Sequence, residues 1–262
     1  MTCLLLAAVL LAAPQPPAGD LTPAARDLLG IAYVDDAALD AEGRWTFFAH
    51  PETTATGPGL NCSGFLVAAA QRLLGRKMSL AEATHDRLGD SGDGAALGKD
   101  WDFGWDLVMN LSEGLPRRAL LPEGEQDLAG QTGATARGFA LDDERGWKKI
   151  LARLASDRVY LASLSRQGRR LEHYHVAFLL KDAAGRSWFY QTLPKGRSHR
   201  LELSSTPGLQ RMQAMFGKGL RILVLEVVPP RRRRATLCAW PPQAASCPPG
   251  QRVEPSNREE HP

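Results

Sequence analysis

The spacing of the apolar residues changes near residue 157, and this change restricts the possible folds more than any other feature of the sequence. Before that point, apolar residues recur every three or four positions, as on the buried face of a helix. After it, short segments alternate apolar and polar residues, as in strands with one buried face. A block of helices followed by a run of strands predicts an α+β fold, with N-terminal helices packed on an antiparallel β-sheet.

Capping residues and turn residues set the expected element boundaries. We predict helices at 22–30, 62–75, 79–88, 143–155 and 206–216, and strands at 158–165, 174–181, 187–193, 199–203 and 220–227. One stretch is ambiguous, because Trp101, Phe103 and Trp105 alternate with aspartates. It predicts either an edge strand or a lid over a cleft, and packing in the core or at an edge is the preferred reading.

The two ends of the chain differ in composition from its centre. Residues 1–18 contain an apolar run followed by prolines, which is typical of a signal peptide and too short for a membrane span. Residues 229–262 are rich in proline and include Arg231–Arg234, so we predict a tail. Between them, 19–228 is expected to form one domain, with an insert at about 76–157. The protein is therefore expected to be secreted or periplasmic, without a stable membrane span.

The cysteine count fits an oxidising compartment. Removal of residues 1–18 leaves Cys62, Cys238 and Cys247. Cys238 and Cys247 bracket a short proline-rich loop and can form a disulfide with each other. Cys62 is then the unpaired thiol.

Charge and motif patterns exclude several functions. The formal net charge of +3 is too small to predict nucleic-acid binding. The stretch 91–100 lacks the residues of a phosphate-binding loop, and its aspartates do not have the spacing of a calcium loop. We therefore expect no cofactor and no metal, and a monomer.

Two readings compete for Cys62: a small residue at the edge of the core, or a nucleophile. At a helix N-terminus, free backbone N–H groups and the helix dipole favour a thiolate and can also hold an oxyanion. His175 shares a strand face with Ala177 and Leu179, where a buried imidazole needs a partner. Gln191 on the next strand is expected opposite His175 or one step away. Taken together these residues favour the nucleophile, and His173 is the second choice of base.

Two short motifs carry a resemblance to a known family. Residues 61–65 read N-C-S-G-F at a helix start, and 175–179 read H-V-A-F-L on a strand. In this order, with Gln191 on the following strand, they resemble the NlpC/P60 branch of the papain-like cysteine peptidases. The similarity covers about 59–75 and 158–193. It implies a papain-like core and metal-free hydrolysis of peptide bonds in the stem peptides of bacterial peptidoglycan.

The resemblance also implies a role for each matching residue. Cys62 would be the nucleophile, His175 the general base, and Gln191 the group that orients the imidazole. Asn61 and Ser63 would contact the substrate. However, Asn61 replaces a family aspartate that helps to hold a free amine, so that particular specificity is not expected here.

Other functions remain open from the sequence. The same triad would serve a papain-like acyltransferase, which passes the acyl group to an acceptor other than water. A catalytically inactive module that binds the cell wall is a third possibility. The family often uses an upstream tyrosine at the oxyanion, but the irregular loop before residue 59 leaves Tyr33 unassigned.

Overall fold

A computed structural model of the chain describes residues 19–89, 102–126, 138–167 and 171–230. The mixed α+β class and the antiparallel sheet are confirmed. Within these ranges, no helix has both the length and the apolar character needed to cross a membrane. The expected signal peptide, the tail beyond residue 230 and the Cys238–Cys247 pair lie outside the described residues.

The elements follow the predicted order, with helices first and most strands later. In chain order they are a 3-10 helix (Thr22–Leu28), β1 (Ala37–Leu39), β2 (Trp45–Phe47), α1 (Cys62–Ala69) with a π-helical turn (Ala70–Leu74), α2 (Leu80–Ala83), α3 (Phe103–Leu111), β3 (Arg117–Leu121), β4 (Gly124–Gln126), β5 (Phe139–Ala140), α4 (Glu144–Arg153), β6 (Val159–Gln167), β7 (Leu171–Lys181), β8 (Ser187–Gln191), β9 (His199–Glu202), α5 (Thr206–Phe216) and β10 (Leu220–Val227).

Eight strands form one sheet in the order β4-β3-β10-β6-β7-β8-β9, with β5 also paired to β10. All of these pairings are antiparallel. Side chains alternate between the two faces of a strand, and each face carries its own apolar core. The α1 face is covered by α1, α3 and the β1–β2 hairpin, and the α5 face is covered by α4 and α5.

Helix α1 is the central element of the α1 face. Residues 63–69 are all buried, because the helix lies between β7 on one side and β1 on the other. The Phe65 ring stacks on Phe178 of β7, with 5.5 Å between ring centroids. Gly75 ends the helical segment in the left-handed conformation, as the sequence predicts. The position of Cys62 is thus fixed by the most buried helix of the molecule.

Helix α2 is shorter than predicted. The capping box of Ser79 and Glu82 is present, but the helix ends at Ala83 instead of Leu88. The side-chain amide of Asn110 in α3 donates to the backbone carbonyls of Ala83 and His85, at 3.1 and 2.8 Å. Because Asn110 bonds the free carbonyls at the end of α2, the helix can stop at Ala83 and need not continue to Leu88.

The edge strand predicted around residues 101–105 is wrong. Phe103 begins helix α3, and every residue of that helix is buried. Because this helix is buried all round, apolar residues lie on several of its sides, and its start can resemble the alternation of a strand. Core packing, the preferred reading, is correct for Phe103 and Trp105, whereas Trp101 lies outside the described residues.

The segment predicted as an insert supplies several core elements. Helix α3 packs on the α1 face, β3 pairs with the central strand β10, and α4 contributes Trp147 and Ile150 to the core of the α5 face. The described part of 76–157 is thus integrated into the same sheet and the same two cores.

Candidate active site

Cys62 is the first residue of α1, and Asn61 caps the helix. The Asn61 side-chain oxygen accepts a hydrogen bond from the Gly64 N–H at 2.8 Å. This contact satisfies one of the free N–H groups of the first turn and fixes the direction in which the helix starts. Asn61, predicted to contact substrate, therefore uses its carbonyl oxygen inside the protein.

Gly64 brings the start of α1 unusually close to β1. A Cβ at this residue would stand 2.2 Å from the Ala37 carbonyl oxygen and 2.8 Å from the Ala38 Cα. Both atoms belong to the backbone, so neither can rotate away. The glycine of the N-C-S-G motif is therefore required by packing between helix and hairpin, and this packing places Cys62.

We expect Gly64→Ala to destabilise the fold by about 3 kcal/mol, at the upper end of overpacking costs. The measurement is the free energy of unfolding from urea denaturation. Gly57→Ala is the matched control, because its added Cβ meets nothing within 4 Å. Equal stability of the two variants would contradict the close approach of α1 and β1.

The Cys62 sulfur is partly buried and surrounded by hydrogen-bond donors. Burial raises the pKa of the Cys62 thiol, while the Ser63 hydroxyl and the backbone N–H groups of Val176, Ser63 and Cys62 itself act to lower it. The sulfur lies 3.9 Å from the Ser63 hydroxyl oxygen. Because burial dominates, the resting group is a neutral thiol. Ser63, expected at the substrate, is buried and contacts the sulfur.

Tyr33 is close enough to this thiol to interact with it electrostatically, although the sequence left it unassigned. The loop that carries it is held to the β8–β9 connection by a bridge between Ala32 and Arg197 and by a hydrogen bond from the Tyr33 N–H to the Gly196 carbonyl. Partial burial, the negative charges of a Cys62 thiolate and of Asp35, and the hydrogen bond to Asp35 together raise the pKa of Tyr33 to about 12. The phenol therefore keeps its proton, and its hydroxyl donates to a carboxylate oxygen of Asp35 at 3.5 Å.

The structure does not assemble Cys62, His175 and Gln191 into one site. His175 lies on the α5 face, where its ring centroid is 5.2 Å from that of Phe216 in α5. Val176, the neighbour of the Cys62 sulfur, points to the α1 face. Gln191 shares the α5 face with His175. The two residues predicted to activate Cys62 are therefore separated from it by the sheet.

The β7–β8 register explains the position of Gln191. The last recorded pair is Phe178 with Tyr190, and its extension sets Gln191 opposite Ala177. Gln191 is thus a diagonal neighbour of His175 on the same face. The expected proximity of the two side chains is present, but it does not involve the thiol.

His173, in contrast, lies on the α1 face. A bulge in β7 pairs His175 with Leu164 and His173 with Ser165, so β7 has one extra residue between them. The His173 ring contacts Phe103 of α3 edge-on, with 5.2 Å between centroids. A Cβ on Gly104 would stand 2.5 Å from His173 Nδ1. The N-terminus of α3 therefore packs directly on this imidazole.

Neither metal-ligand geometry in the described residues nor similarity to known proteins gives a further indication of function. Within them, no group of three or more His, Cys, Asp or Glu side chains is arranged to hold a metal ion. Comparison of the chain with protein-family models, with curated proteins and with solved structures finds no match. The chemistry of the Cys62 region therefore has to be inferred from its own geometry and from the two short motifs.

Proposed function

We propose that this protein is a cysteine hydrolase that cleaves amide bonds, with Cys62 as the nucleophile. The observation that carries the proposal is the environment of the Cys62 sulfur. It lies at the start of a helix, next to the backbone N–H groups of Ser63 and Val176 and within electrostatic reach of the phenol of Tyr33. These donors are suited to stabilise the oxyanion that forms when a thiol attacks a carbonyl.

His173 is the general base of the proposed reaction. It shares the α1 face with Cys62. In β7 it precedes the bulge, and Val176, whose N–H contacts the sulfur, follows the bulge on the same face. Because burial raises the pKa of Cys62, a base that removes the proton during attack suits this site better than a resting thiolate. His173 thus takes the role that the sequence motif assigns to His175.

The chemical steps follow from these roles. His173 accepts the thiol proton while the sulfur attacks the amide carbon, and the carbonyl oxygen becomes an oxyanion held by N–H groups and by Tyr33. The C–N bond then breaks, and His173 returns the proton to the departing amine nitrogen. Water, deprotonated by His173, attacks the resulting thioester, releases the carboxylic acid and restores the Cys62 thiol.

The resemblance to NlpC/P60 enzymes suggests the substrate. We propose a papain-like arrangement of the core and stem peptides of peptidoglycan as the target, in a secreted or periplasmic monomer. Asn61 offers no charge, and its carbonyl oxygen caps α1. A free substrate amine would therefore not be recognised at this position.

Two measurements on the mature chain test the proposal. Peptidoglycan and isolated stem peptides are incubated with the protein, and new amine and carboxyl termini are identified by mass spectrometry. In parallel, a peptidyl vinyl sulfone is added and its site of attachment is mapped. We expect cleaved stem peptides and a single adduct on Cys62 that blocks cleavage.

The outcomes separate the reaction from its substrate. If the protein cleaves other amides but not stem peptides, and the vinyl sulfone still attaches to Cys62 and blocks that cleavage, the stem-peptide assignment is overturned and the cysteine hydrolase is kept. Absence of cleavage in every amide substrate, together with an unmodified Cys62, would overturn the proposed function itself.

A further inference from the structure

Strand β7 extends beyond the hairpin that follows it in the sheet. It pairs with β6 over most of its length, whereas its recorded pairs with β8 begin only at Phe178. Strand β8 ends at Gln191, and the chain turns back towards β9 at 193–196. Among the described parts of the chain, no strand therefore lies on the β8 side of β7 at residues 172–174.

This edge of β7 is accessible from solvent. Glu172 and Tyr174 are exposed, and His173 between them is half-buried. Side chains of a strand stand above and below the sheet, so the edge itself presents backbone N–H and C=O groups. Such an edge is a template for the backbone of an extended peptide.

The same edge leads to the proposed nucleophile. Val176, two residues after Tyr174, has its backbone N–H against the Cys62 sulfur. Because a strand rises about 3.3 Å per residue, Tyr174 and Val176 are at most about 7 Å apart along β7. An extended peptide covers this distance with two residues. A peptide paired with 172–174 therefore has a carbonyl group within reach of the sulfur.

We propose that the amino side of a peptide substrate binds as an added strand along residues 172–174 of β7, with its scissile carbonyl at Cys62. The inference rests on the proposed hydrolysis at Cys62, but not on the stem-peptide assignment. Main-chain hydrogen bonds then supply the affinity, so the substrate class is an extended peptide with consecutive backbone amides. His173, the proposed base, is one of these three residues, so the edge fixes the substrate relative to the imidazole.

A set of peptide vinyl sulfones tests this mode of binding. The parent probe is acetyl-tetraalanyl vinyl sulfone, and each further probe carries a single N-methyl group on a different alanine nitrogen. The Cys62 sulfur bonds to the vinyl carbon farther from the sulfone, and the thiol proton ends on the carbon next to the sulfone. The measurement is the second-order rate of Cys62 modification, with the modified residue identified by peptide mapping.

The N-methyl groups should interfere at every second position only. Alternate nitrogens of a strand point to the same side, so one alternate pair faces β7 and the other faces away. We expect the probes methylated on the first pair to modify Cys62 about 10-fold more slowly, which corresponds to the loss of one net hydrogen bond. The probes methylated on the other pair are the matched controls and should react like the parent probe.

Amide hydrogen exchange locates the bound peptide on the protein. The vinyl sulfone adduct is compared with a Cys62 adduct of iodoacetamide, which blocks the same sulfur without a peptide. Exchange at residues 172–176 should slow only in the vinyl sulfone adduct. Strand β9 ends the sheet beyond β8 and is the internal control, so its amides should exchange equally in both adducts.

Failure of this inference and failure of the proposed function give different results. If the parent probe modifies Cys62 but the N-methyl effects do not alternate, or if protection appears at β9 instead of 172–176, binding at the β7 edge is overturned and the nucleophile is kept. If the parent probe leaves Cys62 unmodified, the proposed function is overturned and the inference falls with it.

Discussion

Cys62→Ala is expected to reduce kcat/KM for the cleaved amide by roughly 10⁴-fold or more, as loss of a nucleophile does in comparable hydrolases. The thiol is the group that forms the covalent intermediate, and alanine leaves only the oxyanion donors and the substrate contacts in place. The measurement is the initial rate with whichever substrate is cleaved by the parent protein, at several substrate concentrations. The fold should survive, because alanine is a good helix former and removes a single partly buried atom.

Cys62→Ser is the companion variant. A hydroxyl keeps nearly the same shape and can accept from the same N–H groups. It is a far weaker nucleophile than a thiol unless a general base is placed to remove its proton. It should be close to Cys62→Ala in activity and close to the parent in stability. Retention of more than a tenth of the activity by Cys62→Ala would place the nucleophile elsewhere.

His173→Ala and His175→Ala are expected to differ strongly in activity. Loss of the base should lower kcat by about 10²–10⁴-fold in the His173 variant. The His175 variant should retain most of the activity, because that ring lies against Phe216 on the far side of the sheet. The measurement is kcat for both variants over a range of pH.

Added imidazole provides a readout that a purely structural role would not affect. It should restore part of the activity of His173→Ala by acting as a free base, and it should leave His175→Ala unchanged. Thermal melting of both proteins checks the fold. If His175→Ala were the variant that lost activity and recovered it with imidazole, the assignment of the base to His173 would fail.

The sequence predicts those helices and strands whose apolar pattern or end residues follow from local structure alone. Strands β6 to β10 are short apolar segments with at least one buried face. Helix α5 has a proline in its first turn and ends at a glycine. Helix α3 was missed because it is buried on all sides: its polar residues Asp106 and Asn110 contact the 83–87 segment instead of solvent, so they do not mark an exposed face. The end of α2 was missed because a distant residue, Asn110, satisfies its carbonyls.

The candidate site was predictable only in part. Cys62 was found because a helix start is a local feature, which the cap residue and the following apolar run both mark. Tyr33 was not found, since its proximity to the thiol depends on a bridge to residues more than 160 positions away. The sequence favours His175 as the base because it starts the H-V-A-F-L strand, whereas His173 is expected just before that strand; the bulge that turns the two to opposite faces leaves no mark in the sequence.

The bulge at Tyr174 places two histidines of one strand in two different cores. In a regular strand, His173 and His175 would point to the same side, because residues two apart share a face. The extra residue turns them to opposite sides, so His173 contacts Phe103 of α3 and His175 contacts Phe216 of α5. Substitutions could alter either histidine separately. Deletion of Tyr174 would make the two histidines consecutive residues, which again face opposite sides, whereas pairing of β7 with β6 without a bulge would bring both imidazoles to one face.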